Sequence, residues 1–391
     1  MSSDLVTVQP GGSTDDAHDD VVYPSTLLFL AAHVACFGAI WSGVTTEAVV
    51  LAVALYVLRM FGVCAGYHRY FSHRAFKTSR AGQFVLAVLA QSTAQRGVLW
   101  WAAKHRWHHL HSDTELDVHS PARRGFLYAH VGWIFTARHD ATDYAAVADL
   151  AKFPELVWLD RHPYVAAVAL AVLSWLIAGW PGLFVGFFWS TVALWHGTFC
   201  INSLAHVLGT RRYVTGDDSR NNWYLAIFTL GEGWHNNHHA CQSSARQGFR
   251  WWQYDPTYYG LKLLSWCGLV WDLNQPAPSL VRGEQRLGRK VIDKVARQLA
   301  ATFPTDRLAA QAKEALAHAS VWPDFQARAQ VARDQAAAFL GELHMPHMPS
   351  LDQLRRLAED RLARTPSLDE IAGRTRQVLL EAVAARLLKE A

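Results

Sequence analysis

Ala65-Gly66-Tyr67-His68-Arg69-Tyr70-Phe71-Ser72-His73 follows directly on an apolar run over residues 48–66. That run has about the length a bilayer crossing requires, roughly 20 residues. Two more histidine clusters lie further along the chain: His105-Arg106-Trp107-His108-His109 and His235-Asn236-Asn237-His238-His239. Together they read HxxxxH, HxxHH and HxxHH, eight imidazoles separated by long apolar segments. Imidazole suits iron, zinc, copper and nickel. Eight donors are too many for one ion, since zinc, for example, takes about four. The spacing therefore implies two metals, and the apolar segments imply a membrane around them.

Four stretches are candidates for spans: 23–44, 48–66, 164–180 and 182–204. The second carries Arg59 and the third is short. The joints near Gly43 and Pro181-Gly182 are too tight for a domain, so the spans form two helical hairpins. Neither joint carries Lys or Arg, whereas residues 67–162 carry twelve. Basic residues accumulate on the cytoplasmic side. That places residues 67–162, both termini and all three histidine clusters in one compartment, and the histidines played no part in the assignment. Residues 79–96 and 254–271 mix apolar and polar positions and are expected as helices at the membrane interface.

Composition agrees with a lipid setting. Of 391 residues, 51% are hydrophobic, and the 17 Trp and 18 Phe suit interfacial belts. A formal charge of +4 calls for no nucleic acid. Cys36, Cys64, Cys200, Cys241 and Cys267 are scattered without a CxxC, as packed thiols are. Residues 1–22, with Asp15, Asp16, Asp19 and Asp20, read as a polar tail. Residues 23–277 form the membrane unit and its cap. From 278 to 391 aromatics nearly vanish, and amphipathic helices are expected at 288–303, 324–343 and 350–363. No chemistry is legible in this soluble helical extension; His344 and His347 read as a solvated turn. The fold class is all-α.

On a helix, residues three and four apart share a face. His105, His108 and His109 can thus point together, as can His235, His238 and His239. HxxxxH does not converge on a continuous α-helix; its rings can meet only across a helix end or on two sides of a metal pair, and Gly66 permits a backbone change there. Asn202 and His206, four apart at the exit of the last span, add another ligand pair. His18, His33, His162, His196 and His318 read as unrelated to the metals, while His111, His119, His130 and His139 are candidates for supporting the ligands.

These stretches, with His130-Val131-Gly132-Trp133, Asn202-Ser203-Leu204-Ala205-His206 and Gly231-Glu232-Gly233-Trp234 before His235, resemble the integral-membrane fatty acyl desaturases of the stearoyl-CoA desaturase-like branch. The resemblance covers about residues 23–273. It implies a four-span stem and a cytoplasmic cap holding two iron ions, with zinc as a competitor at nitrogen sites. Carried over residue by residue, the ligands are His68, His73, His105, His108, His109, His206, His235, His238 and His239, with Asn202 acting through water. It further implies that His68, His73, His109 and His239 hold one iron and His105, His108, His206, His235 and His238 the other.

The implied reaction inserts a cis double bond, at the ninth carbon, into a saturated acyl chain carried as acyl-CoA or acyl-lipid. Dioxygen is the co-substrate. A ferredoxin, a rubredoxin-like protein or a flavin reductase would donate electrons. The location it implies is a bacterial cytoplasmic membrane. Trp100, Trp101, Trp107, Trp133, Trp195 and Trp234 are candidates for a tunnel wall, and Arg69, Arg106, Arg123, Arg124 and Arg138 for a phosphorylated headgroup. Two other readings compete. A histidine-box hydroxylase of alkanes or lipids would use the same ligands. A metal transporter or sensor would need its ligands near the bilayer midplane, not beyond the span ends.

Overall fold

The computed structural model describes residues 23–136, 140–343, 345 and 347–389. The expected tail over 1–22, and Arg138, His139 and His344, lie outside the described residues.

Among the described residues, two helices are long and apolar enough to cross a membrane: Thr46–Ser72, 27 residues, and Val165–His206, 42 residues. Only 17% of the most apolar window of the second is buried within the molecule. Val168, Leu176 and Ile177 point outward there. A core helix of a soluble protein would turn such side chains inward, so this surface suits lipid. The 42-residue stretch is itself folded back. Ala178 (φ −135°, ψ 24°) and Gly179 (φ 59°, ψ −150°) break the helix. Beyond the break Gly182 lies against the Ser174 carbonyl, with no room for a Cβ. The break falls at the expected joint, and its left-handed residue is the glycine before Pro181. The first expected span is made of two shorter helices, Tyr23–Ala35 and Gly38–Ser42.

The α-helix Thr46–Phe61 widens into a π-helix over Gly62–Ser72. This revises the reading of HxxxxH. A π-turn closes i to i+5, and the His73 amide donates to the His68 carbonyl at 3.3 Å. Residues five apart therefore share a face, and both rings turn the same way. Gly66 acts differently from expectation: a Cβ there would stand 3.1 Å from the Leu86 carbonyl oxygen. It permits close packing on the helix Arg80–Gln91. Arg59 is wholly buried and donates to Thr191 Oγ1 (2.8 Å) and Ser190 Oγ (2.6 Å), which keeps its charge off lipid.

The helix that carries the second cluster is Val98–His111. Its own N-cap, Gly97, has no side chain, so its first amides need an outside acceptor. Asp160, on the helix Pro154–Arg161, accepts from Leu99 N and Trp100 N, both at 2.9 Å. The interfacial helix expected at 254–271 is Pro256–Trp266, with Leu263 and Trp266 exposed. It is followed by a two-residue strand, Val270–Trp271, paired antiparallel with Lys77–Thr78. This small addition to an all-α expectation was too short to show a period.

In the extension, the expected helices at 288–303 and 350–363 appear as Arg289–Ala300 and Leu351–Arg361. The one expected at 324–343 is two, Trp322–Val331 and Arg333–Glu342, and Thr305–His318 was not foreseen. Leu368–Leu387, also unforeseen, is the central helix, burying Ile371, Leu379, Val383 and Leu387.

Replacing Asp160 by Ala should lower stability by about 1–2 kcal/mol, the scale of a lost N-cap. Thermal unfolding in detergent measures it; an unchanged midpoint would contradict the capping role.

Candidate metal centre

The nine expected histidines converge, but not in the expected split. His68, His73, His105, His109 and His238 form one group; His108, His206, His235 and His239 form the other. Within each group the donor atoms lie within 4.8 Å of one another. The predicted allocation is therefore corrected: His105 and His238 belong with His68, and His239 belongs with His108. The reason lies in the helix. His105 and His109 are one turn apart and share a face, with their Nε2 atoms 3.0 Å apart. His108 points to the other side.

In the five-histidine group the Nε2 atoms follow one another closely. His68 lies 3.0 Å from His238, His238 lies 2.9 Å from His109, and His105 lies 2.9 Å from His73. In the four-histidine group His206 and His235 are 3.0 Å apart. Nitrogens at such spacing subtend about 90° at an ion roughly 2.0–2.1 Å away.

The other ring nitrogens decide what these contacts are. His68 Nδ1 faces Glu232 at 2.5 Å. His108 Nδ1 faces Asp117 at 2.9 Å, His206 Nδ1 faces Asp113 at 3.0 Å, and His239 Nδ1 faces Asp217 at 2.8 Å. A carboxylate fixes the proton on Nδ1 and leaves Nε2 as a bare lone pair. Bare lone pairs crowded together repel unless a cation lies between them. His239 Nε2 is buried and has no hydrogen-bond partner. The donor set thus fits two metal ions. The two groups differ in support: three carboxylates face the four-histidine group, and Glu232 faces the other.

The scaffold explains the wording of the clusters. Arg69, fully buried, binds Glu232 (3.0 Å) and Asp255 (2.9 Å), tying the first cluster to the third. It is a structural cation, not a headgroup contact. Asn236 Oδ1 accepts from Arg212 N and Tyr213 N, each at 2.8 Å. Asn237 Nδ2 donates to the Gln247 carbonyl at 2.9 Å. These two amides hold the six-residue helix His235–Ala240 in place. Gly233 sits against Ala226 N and Asn222 O, where no Cβ fits. The sequence reading missed the carboxylates. Glu232 stood inside a quoted motif, and Asp113 and Asp117 follow the second cluster, but Asp217 carried no local signal.

Beside the two histidine groups lies a cavity of about 330 Å³. His68, His105 and His235, ligand candidates from both groups, line it, with Glu232, His119 and Asn202. Its deeper wall is apolar: Leu28, Ala32, Met60, Val168, Phe187 and Phe188. Of the expected wall residues, Trp100, Trp101, Trp133 and Trp195 are present. Trp107 is placed elsewhere, half-exposed and donating to the Leu116 carbonyl. Trp234 donates to the Tyr254 carbonyl, away from the cavity. Arg106 is occupied by Asp149 (2.7 Å) and the Phe71 and Ser72 carbonyls. Arg123 pairs with Glu115, and Arg124 contacts Tyr128. The basic residues that do line the cavity are Arg96 and Lys104. His33, His196 and His130 form a hydrogen-bonded chain of their own, with links of 3.1 and 3.0 Å.

Burial, and then the neighbouring imidazoles, pushes His105, His109, His235 and His238 well below the usual range. Against the upward push of burial, the facing imidazoles hold Asp117 and Asp217 low. His68 and Arg69 likewise hold Glu232 at about 2. Histidines depressed on folding stabilise nothing by protonation. The metal-free fold is fully stable above the unfolded value, about 6.5, and loses stability as pH falls below it. Chelator-treated protein should therefore show a falling unfolding temperature from pH 7 to pH 5. A flat or rising profile would contradict the buried, neutral imidazoles.

The fatty acid desaturase family model matches residues 45–263. The chain is 39% identical over 214 residues to an sn-2 palmitoyl-lipid 9-desaturase of Nostoc sp. (strain 36), covering 54% of this chain and 75% of that one. It is 37% identical over 277 residues to an acyl-CoA 5-desaturase of Anemone leveillei, covering 70% and 84%. It is 37% identical over 249 residues to an sn-1 stearoyl-lipid 9-desaturase of Anabaena variabilis, covering 63% and 91%. The matched region contains all nine histidines, and the chain belongs to the fatty acid desaturase family.

Proposed function

We propose that the protein is a dioxygen-dependent diiron desaturase that introduces a cis double bond at the ninth carbon of a saturated acyl chain delivered as acyl-CoA. The observation that carries this reading is the cavity: imidazoles from both histidine groups line its polar part, and its deeper wall is apolar. A mid-chain methylene offers no acidic proton to a side-chain base. A bound iron pair supplies the oxidising power for that step, with dioxygen reduced to water and two electrons taken from a donor.

The chain's own residues do the rest. Met60, Phe187 and Phe188 exclude water from the acyl tail. Glu232, Asp113, Asp117 and Asp217 keep the ligand rings oriented. Lys104, at the polar part of the lining, suits a phosphorylated headgroup outside the tunnel, while Arg96 beside it is paired with Asp140. Asn202, on the same wall, is positioned to hold a water near the metals. Four spans in two hairpins, with cap and termini on the cytoplasmic side, would bring the tail up from lipid and the electrons in from the cytosol. A separate ferredoxin, rubredoxin-like protein or flavin reductase is the proposed donor.

Expression in a desaturase-deficient host should create monounsaturated chains with the double bond at carbon 9, read by gas chromatography and mass spectrometry. His105→Ala should abolish them while insertion into membranes persists. New hydroxyl groups in place of unsaturation, or full activity of His105→Ala, would contradict the reading.

A further inference from the structure

The extension beyond residue 277 lies outside the matched desaturase region, which ends at 263. Its contacts nevertheless lead to one of the two metal groups. Resting on the metal-centre reading above, we propose that the helix Arg289–Ala300 is a positioning element for the four-histidine group: Lys294 and Gln298 hold the two loops that present Asp113 and Asp217.

The geometry runs outward in layers. His206 Nδ1 meets Asp113 Oδ2 at 3.0 Å, and His239 Nδ1 meets Asp217 Oδ2 at 2.8 Å. The two loops are joined, because Asp218 N donates to Asp113 Oδ2 at 2.7 Å. Asp113 is left-handed (φ 58°), a conformation Asp adopts more readily than most residues with a side chain, and Gly216 has φ 78°, which glycine takes without steric cost. The extension braces both loops from outside. Lys294 Nζ donates to the Ser112 carbonyl at 2.5 Å, and Gln298 Nε2 donates to the Gly216 carbonyl at 2.9 Å.

Lys294 and Gln298 stand four residues apart on one face of the helix. A Cβ on Gly216 would lie 3.2 Å from Lys294 Cδ, so the helix rests directly on that loop. Val214 packs into the same apolar cluster as Ile292 and Val295. Behind the helix, Asp293 pairs with Arg374 at 2.5 Å and Ile371 closes the cluster, which anchors it to the central helix of the extension. The five-histidine group is braced from elsewhere, by Glu232, Arg69 and Asp255. The extension therefore acts on one ion and not on both.

The test counts metal. Full-length protein loaded with two ions per chain is challenged with a chelator, and retained metal is followed in time. In Lys294→Ala/Gln298→Ala, one ion should leave about tenfold faster, the low end of the effect of losing a group that orients a ligand. The other ion should leave at the wild-type rate. Lys294→Arg keeps the donor and should restore retention, and Arg307→Ala, an exposed cation on the same extension, should change nothing. The double substitution should add little to Asp217→Asn, which loosens the same ion, and should add in full to Glu232→Gln, which loosens the other. If the double variant aggregates, exposed Gln298→Ala alone gives the same contrast.

Wild-type release of both ions from a folded variant would overturn the inference. Equal acceleration of both would overturn it too, since that is general loosening. A wild type that holds fewer than two ions would overturn the metal-centre reading itself, and this inference with it.

Discussion

Seven of the nine imidazoles set their Nε2 nitrogen about 3 Å from that of another ring. That arrangement is costly for a protein without a cation at its centre, and the surrounding structure is shaped to maintain it. Buried carboxylates take the protons on the far side of four rings. Buried arginine and asparagine side chains then hold the carboxylates and the short helix beneath them. The histidine groups are thus held in layers: ring, carboxylate, and the loops that aim the carboxylate.

The three clusters reach this arrangement by three local geometries. An α-helix with its amides capped from outside by Asp160 divides His105 and His109 from His108. A π-helix brings together two histidines five residues apart. A helix of only six residues, pinned by Asn236 and Asn237, directs His238 to one group and His235 and His239 to the other. Each helix sends rings to one or both ions, so both groups are built from residues distant in sequence.

Much of this was legible beforehand. The eight clustered histidines and the helical character follow from motif spacing and apolar runs, because both are local patterns; His206 joined them through the family resemblance. The hairpin break near Pro181 could be read for the same reason. What escaped the sequence depended on tertiary geometry. The pairing of His105 and His238 in one group depends on which way two helices face. The π-turn looks like an ordinary helix until its hydrogen bonds are known. Arg69 and Arg106 read as candidates for a headgroup, yet Arg69 is spent on the buried Glu232 and Arg106 on Asp149. Asp217, in an unpatterned loop, acquires meaning only when His239 stands beside it. The central helix of the extension, Leu368–Leu387, lay in a region without a motif to draw attention to it.

The cavity connects this centre to function. Its apolar depth lies among the membrane-crossing candidates, and its polar lining carries ligands of both groups. The most direct measurement of the central claim is an anomalous-scattering map at the metal absorption edge from crystals of the loaded protein. The account predicts two peaks, one among His68, His73, His105, His109 and His238 and one among His108, His206, His235 and His239. A single peak, or two peaks that divide the histidines otherwise, would contradict it.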